Sequence, residues 1–261
     1  MNNDSPVIFE IEDKVGLITL NRPQAMNALN SAARDILMDA LSRIHNDTDI
    51  QVGIITGAGG KAFSAGADLK EWSQPGSTGA SGGLVEEFIN HNPVDNFFTI
   101  PVRKPMIAAI DGYCLGGGLE LALTCDIRIA TERSSFGLPE VKRGFVPGGG
   151  GIQRILKAIP QAPAMEMVLT GNSYSAQDAW NWGIISRIVT PENLLNVAKE
   201  IASDIAANAP MAIIGAKEIA NHSRDLSLSE ALRMGHAIRW IIGQTDEAKS
   251  GPKEFMKKKN K

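Results

Sequence analysis

Two glutamates in this chain stand beside glycine-rich turns, where a carboxyl group could move a proton. Glu120 follows the run Gly116–Leu119 (GGGL), with Leu119, Leu121 and Leu123 around it. Three glycines ahead of a helix bring bare backbone N–H groups to its N-terminus, where the dipole favours negative charge. Such an end can bind phosphate or stabilise an oxyanion that develops in a transition state. A carboxylate among apolar neighbours is costly unless paired or protonated, and its pKa tends to rise. The plain alternative is a surface glutamate favourably placed at a helix start. Glu140 ends the run Phe136–Glu140 (FGLPE), and its plain alternative is a turn carboxylate. Gly144–Arg154 (GFVPGGGGIQR) follows it, and Phe63–Asp68 (FSAGAD) supplies a second stretch of small residues ending on an acid.

Other motifs carry less. Gly57–Ala62 matches the spacing of a dinucleotide-binding turn after a strand, but a helix must open there and the chain continues as Phe63–Gly66, a loop-like segment. Gly79–Gly83 matches G-x-S-x-G, yet Ser81 lies in a Gly/Ser/Pro-rich stretch rather than between a strand and a helix. His45, His91, His222 and His236 form no HExxH and no cluster at ligand spacing, so no metal is expected.

The elements that must position these residues follow from periodicity. Val7–Glu12 and Val15–Leu20 read as a hairpin turning at Asp13–Lys14. Asn30 caps a helix over Ser31–His45, with Ala33, Leu37, Leu41 and Ile44 on one face. Val52–Thr56, Met106–Ile110, Ile127–Ala130 and Ile184–Val189 read as strands, and a helix is expected from about Gly118 to Thr124. Met165–Leu169 and Ala176–Trp182 look helical, and Ser73–Gly83 reads as a mobile surface loop. Thr190-Pro191 is an N-cap followed by an N1 proline, and Ser227 with Glu230 forms a capping box ahead of Ala231–Ile242. Strands mixed with short helices, then helices alone, divide the chain into an α/β core (1–190) carrying the site and a helical region (191–261).

Composition narrows the function classes. The 261 residues are 43% apolar and 21% charged, as in a soluble globular protein. A net charge of −3 offers no general attraction to nucleic acid, and the basic run Lys257–Lys261 reads as a solvated tail. Cys114 and Cys125 lie in apolar surroundings with no CxxC, which fits a reducing compartment. The N-terminus has no secretory pattern and no apolar run is long enough to span a bilayer, so a cytoplasmic protein is expected.

Five segments occur in order: Asn21–Leu29 (NRPQAMNAL), Phe63–Asp68, Gly116–Glu120, Phe136–Glu140 and Pro147–Arg154. Together they closely resemble the enoyl-CoA hydratase/isomerase (crotonase) superfamily, from about Val7 to Lys258. The resemblance implies a spiral core of ββα units and a C-terminal helical region that builds trimers, usually paired into hexamers. It implies that the N–H groups of Ala67 and Gly117 form an oxyanion hole for a thioester carbonyl, with Glu120 and Glu140 as the acid–base pair. It also implies that Gln24, Ala25, Met26, Ala65, Asp68 and Leu69 line the groove for the CoA nucleotide. Phe255 and Lys258 match a pair that reaches CoA on a neighbouring subunit. Coenzyme A then enters as the substrate thioester, with no separate cofactor, and neither nucleic acid nor membrane is a partner.

This sequence also departs from the family. Gln24 stands where hydratases often carry lysine, Lys142-Arg143 replaces a more apolar pair, and Gly149 and Ile152 replace alanine and threonine. The acyl pocket is expected near Glu71–Asn92 and Phe97–Ile100. The activity implied is reversible syn-type addition of water to a trans-2-enoyl-CoA. A Δ3,Δ2-enoyl-CoA isomerase or a dehydratase of a functionalised acyl-CoA stand as alternatives, and a non-catalytic acyl-CoA-binding protein as the rival from another class. The presence of both glutamates favours the hydratase.

Overall fold

In a computed structural model, which describes residues 4–73 and 102–259, ten strands form two sheets. The larger has the order β1 (Val7–Glu12), β2 (Val15–Leu20), β3 (Val52–Gly57), β5 (Met106–Ile110), β7 (Ile127–Thr131) and β10 (Arg187–Val189). The smaller runs β4 (Ala62–Ser64), β6 (Tyr113–Leu115), β8 (Ser135–Gly137) and β9 (Ser173–Ser175). The β1–β2 hairpin is antiparallel and turns through Asp13 and Lys14, both at positive φ, which matches the right-handed twist of the strands. From β2 to β10 the large sheet is parallel.

Consecutive strand pairs β3–β4, β5–β6 and β7–β8 each place their first strand in the large sheet and their second in the small one. The chain therefore winds as a spiral of ββα-type turns. Strand β5 explains why the large sheet is so apolar. Met106, Ala108 and Ile110 pack into one core, and Ile107 and Ala109 into another on the opposite face. A strand buried on both faces loses the polar alternation of a half-exposed one.

Helix α1 (Ser31–Asn46) starts where Asn30 Oδ1 accepts the Ala33 N–H at 3.0 Å, and it buries Ala33, Leu37, Ala40, Leu41 and Ile44. Short helices α2 (Leu69–Trp72) and α3 (Gly117–Thr124) follow β4 and β6. Helices α4 (Gly151–Ala158), α5 (Gln161–Thr170) and α6 (Ala176–Trp182) carry the chain to β10. Beyond it come α7 (Leu194–Ala206), α8 (Pro210–Ser223), α9 (Leu228–Ile242) and α10 (Asp246–Lys259). Helix α7 buries Leu194, Ala198 and Ala202 against Val52, Ile54, Ile107 and Ile129, closing the second face of the large sheet.

Helices α8 and α9 pack on each other, and their fully buried residues are only Gly215 and Ala231. The capping box at Ser227 is present, with the Ser227 side chain and Glu230 bonded reciprocally. At Pro191 the chain makes a 3-10 turn, Pro191–Asn193, for which Thr190 provides no side-chain cap. Among the described residues no helix is long and apolar enough to cross a membrane.

Candidate active site

Two elements meet to make the site: the end of β4 and the glycine-rich start of α3. Gly118 lies so close to β4 that a Cβ there would stand 2.2 Å from the Ser64 carbonyl oxygen. Gly66 is at φ +90°, where a Cβ would lie 2.8 Å from the Gly117 nitrogen, and a Cβ on Gly117 would lie 3.5 Å from the Ala67 nitrogen. The backbones of Ala67 and Gly117 are therefore neighbours, at a distance that only glycines permit. An isolated parallel bridge joins Leu29 to Ala67, using the Leu29 N–H on Gly66 O at 2.8 Å and the Asp68 N–H on Leu29 O at 3.4 Å. It turns the Ala67 N–H away from Leu29. The Gly117 N–H is one of the donors that a helix start leaves unpaired. Two such donors side by side can receive one carbonyl oxygen.

Glu120, in the first turn of α3, is 4% exposed. Its Oε1 accepts the Gly149 N–H at 2.7 Å and the Gly151 N–H at 2.9 Å, both at the start of α4. Burial pushes this carboxyl above its ordinary value, while the two N–H donors and the nearby Arg154 cation pull it partly back. The surface-glutamate alternative is thereby excluded.

Glu140 sits in the 3-10 turn Pro139–Arg143. Its Oε1 lies 2.9 Å from where a Cβ on Gly116 would be, so the carboxyl rests against bare backbone just before α3. Gly116 has φ +54° and ψ −127°, a conformation open in practice to glycine alone. Glu140 Oε2 is buried with no hydrogen-bond partner among the described residues. Burial raises this carboxyl to about 7. Its own backbone N–H and Arg143 oppose the rise, and the charge of Glu120 adds to it. The structure thus brings two carboxyls with different surroundings and the neighbouring backbone nitrogens of Ala67 and Gly117 to one helix start, an arrangement able to move protons beside a polarised carbonyl.

The segment 22–29 is tied to the same place. Asn27 is 1% exposed and at φ 53°; its Nδ2 donates to Ala58 O at 3.0 Å and Ala62 O at 2.7 Å, and its Oδ1 accepts the Arg22 N–H at 2.8 Å. Arg22 Nη1 reaches Asp68 Oδ2 at 2.8 Å and Ala28 O at 2.6 Å. Burial alone would raise the Asp68 carboxyl, but its bond and ion pair with Arg22 outweigh that and hold it below its usual value. Met26, also left-handed at φ 55°, accepts the Ala65 N–H at 2.9 Å. Gln24 and Leu69 are exposed, and Gln24, Ala25, Met26, Ala65, Asp68 and Leu69 fall on segments cross-linked to one another.

Some expectations lie outside the described residues: most of the proposed acyl pocket, the Ser73–Gly83 loop beyond Ser73, Ser81, His91, and the side chains of Phe255 and Lys258 in α10. The turn after Gly57 leads into strand β4 rather than a helix, which removes the dinucleotide alternative; of the loop expected at Phe63–Gly66, Phe63 and Ser64 are strand, and only Ala65 and Gly66 are irregular. Among the described residues no group of His, Cys, Asp and Glu is arranged to hold a metal. Arg22, Asn27, Gly149, Gly151 and Arg154 escaped assignment. All lie inside motifs of the sequence, but their partners are distant in sequence or are backbone atoms.

The Enoyl-CoA hydratase/isomerase family model matches residues 10–261. The chain is 38% identical to the (E)-benzylidenesuccinyl-CoA hydratase of Thauera aromatica, over 96% of this chain and 95% of that one. It is 36% identical to the short-chain-enoyl-CoA hydratase of Clostridium acetobutylicum, over 97% and 95%. The crystal structure of enoyl-CoA hydratase EchA1 from Mycobacterium marinum superposes with a TM-score of 0.88 at 39% identity, covering 98% of this chain and 97% of that chain. With matches that span nearly its whole length in both sequence and fold, this chain belongs to the enoyl-CoA hydratase/isomerase family.

Proposed function

We propose that the protein is an enoyl-CoA hydratase, adding water reversibly across the double bond of a trans-2-enoyl-CoA to give the 3-hydroxyacyl-CoA. The observation that carries this reading is the unequal pair of buried carboxyls beside the paired N–H groups of Ala67 and Gly117. Those two donors act as an oxyanion hole, polarising the thioester C=O and stabilising the enolate character that appears in the transition state. Glu120, its charge supported by two N–H donors, takes the proton from the attacking water. Glu140, raised to about 7, is substantially protonated at neutral pH and delivers a proton to Cα. In the dehydration direction the roles reverse. An isomerase needs one proton shuttle, whereas two carboxyls in different states suit the addition of water.

Coenzyme A enters as part of the substrate, its nucleotide end along Gln24–Met26 and Ala65–Leu69. The exposed cation of Arg143, close enough to act on Glu140, favours testing acyl groups that carry a carboxylate or an aromatic ring. The relative named (E)-benzylidenesuccinyl-CoA hydratase adds weight to that choice.

The 191–261 region assembles the protein as a trimer or a dimer of trimers. Leu228 (76% exposed), Leu232 and Trp240 (71% exposed) give α9 an apolar surface that the core leaves uncovered. Purified protein offered straight-chain, aromatic and dicarboxylic trans-2-enoyl-CoAs should remove the conjugated-thioester absorbance of at least one. No loss with any of them, from protein that is folded, contradicts the reading.

A further inference from the structure

The segment that holds Glu120 consists of three consecutive glycines, Gly149–Gly151, and glycine has the greatest backbone freedom of any residue. Left alone it could not keep two N–H groups on one carboxylate oxygen. Gly150 is the N-cap of α4, sits at φ +84°, and provides no side chain to bond the helix start. Something else must fix the segment.

Arg154 occupies the other side. Its backbone N–H makes the first helical bond of α4, to Gly150 O at 3.0 Å, and its side chain folds back over that turn. Nη1 donates to Gly149 O at 2.5 Å. A Cβ on Gly150 would lie 2.5 Å from Nη1 and 3.3 Å from Cζ, so the guanidinium packs directly on the face of this glycine. At the next residue a Cβ on Gly151 would lie 2.9 Å from Glu120 Cγ and 3.0 Å from Glu120 Oε1. A cation and a carboxylate both hold the glycines: Arg154 donates to the Gly149 carbonyl, and Glu120 accepts the N–H groups of Gly149 and Gly151.

We infer that Arg154 is a positioning residue for the reaction, holding the Gly149–Gly151 segment so that its N–H groups orient Glu120 and keep it ionised as the base. This rests on the hydratase reading for its catalytic meaning but not for its geometry. The hold is also electrostatic. The Arg154 cation acts on the Glu120 carboxyl across the loop, and each supports the charge of the other against burial. Among the described residues the other charged group acting with Glu120 is Glu140, from the turn preceding the loop. Lysine at 154 would keep a charge but lose the planar fork that both packs on Gly150 and bonds the carbonyl.

The test compares Arg154→Lys and Arg154→Met with the unmodified protein in the full-length assembly. Glu120 is titrated directly by carbon NMR of labelled glutamate, in a Glu140→Gln background that removes the neighbouring carboxyl. The midpoint for Glu120 should rise in Arg154→Met and rise less in Arg154→Lys. With both glutamates present, Arg154→Met should lose ~10²-fold in kcat with KM nearly unchanged, as expected when a reacting group is misplaced. The acidic limb of its kcat/KM profile should move to higher pH, and lysine should restore part of both effects. A purely structural role would alter melting and yield without moving the midpoint. An unmoved Glu120 midpoint in either folded variant overturns the inference. If Arg154→Met does not fold, Arg154→Lys alone still decides it. Absence of hydration by the unmodified protein counts against the hydratase reading, whereas the titration judges Arg154 without turnover.

Discussion

A carboxylate keeps its charge out of water only where donors replace the solvent it has lost. Glu120 has two such donors and a nearby cation, while Glu140 has a buried oxygen with none among the described residues. In the proposed mechanism that contrast separates base from acid, and it has a cost in stability. The folded-state pKa of Glu140, about 7, lies above the 4.5 of an unperturbed glutamate. Between those values the folded protein holds a proton that the unfolded chain has released. Stability from this group is therefore complete below about pH 4.5 and is lost as pH rises through 7. Glu140→Gln removes the ionisable group, so it should be more stable than the parent at pH 8 by about 2 kcal/mol, discounted for partial exposure, with the gain gone at pH 4. Thermal melts of the two proteins at both pH values measure this; an equal difference at both would contradict the assignment. Both glutamates were legible in the sequence because each sits in a motif with little else to do chemistry. Their inequality was not, because it depends on Gly149 and Gly151 folding back onto Glu120 from 29 and 31 residues away.

The small sheet is the part of the fold that periodicity could not show. Strands β4, β6 and β8 are three residues each, too short for an alternating pattern, and Ala62–Ser64 is buried throughout. The longer strands β1, β2 and β5 and the helix α6 carry enough of their pattern to be read to the residue. Yet β4 is the element that carries Ala67 to the start of α3, since it lies against Gly118. If the Ala67 N–H stabilises the developing oxyanion, Ala67→Pro should cost ~10²–10³-fold in turnover, because proline has no N–H. Ala67→Gly keeps the donor and should retain most activity. Steady-state rates with one enoyl-CoA decide it: near-normal turnover in folded Ala67→Pro would remove the oxyanion hole from this position.

At the scale of the whole molecule, α7 completes the core while α8 and α9 bury little of themselves in a single chain. The proposed assembly of three or six copies requires that surface to pack on a different surface of the neighbouring copy around a three-fold axis. Sedimentation at micromolar concentration should give a trimer or hexamer, and a monomer would contradict this. Removing residues from Gly251 onward should raise the KM for the CoA ester with less effect on assembly, because Phe255 and Lys258 are proposed to touch CoA on the adjacent subunit. The uncovered face of α9 was not legible from local pattern. The amphipathic helices were visible, but which of their faces the core would leave uncovered depends on tertiary packing. In the proposed mechanism two carboxyls act together on one water. Glu120→Gln and Glu140→Gln should each lower hydration at least ~10²-fold, and the double variant should lose less than the product of the two. The most direct measurement is turnover of a trans-2-enoyl-CoA and of its 3-enoyl isomer in H₂¹⁸O by the unmodified protein. Hydration by the two carboxyls should place ¹⁸O at C3 of a 3-hydroxyacyl-CoA from the 2-enoyl substrate; conversion of the 3-enoyl to an unlabelled 2-enoyl product, with no hydration, would contradict it.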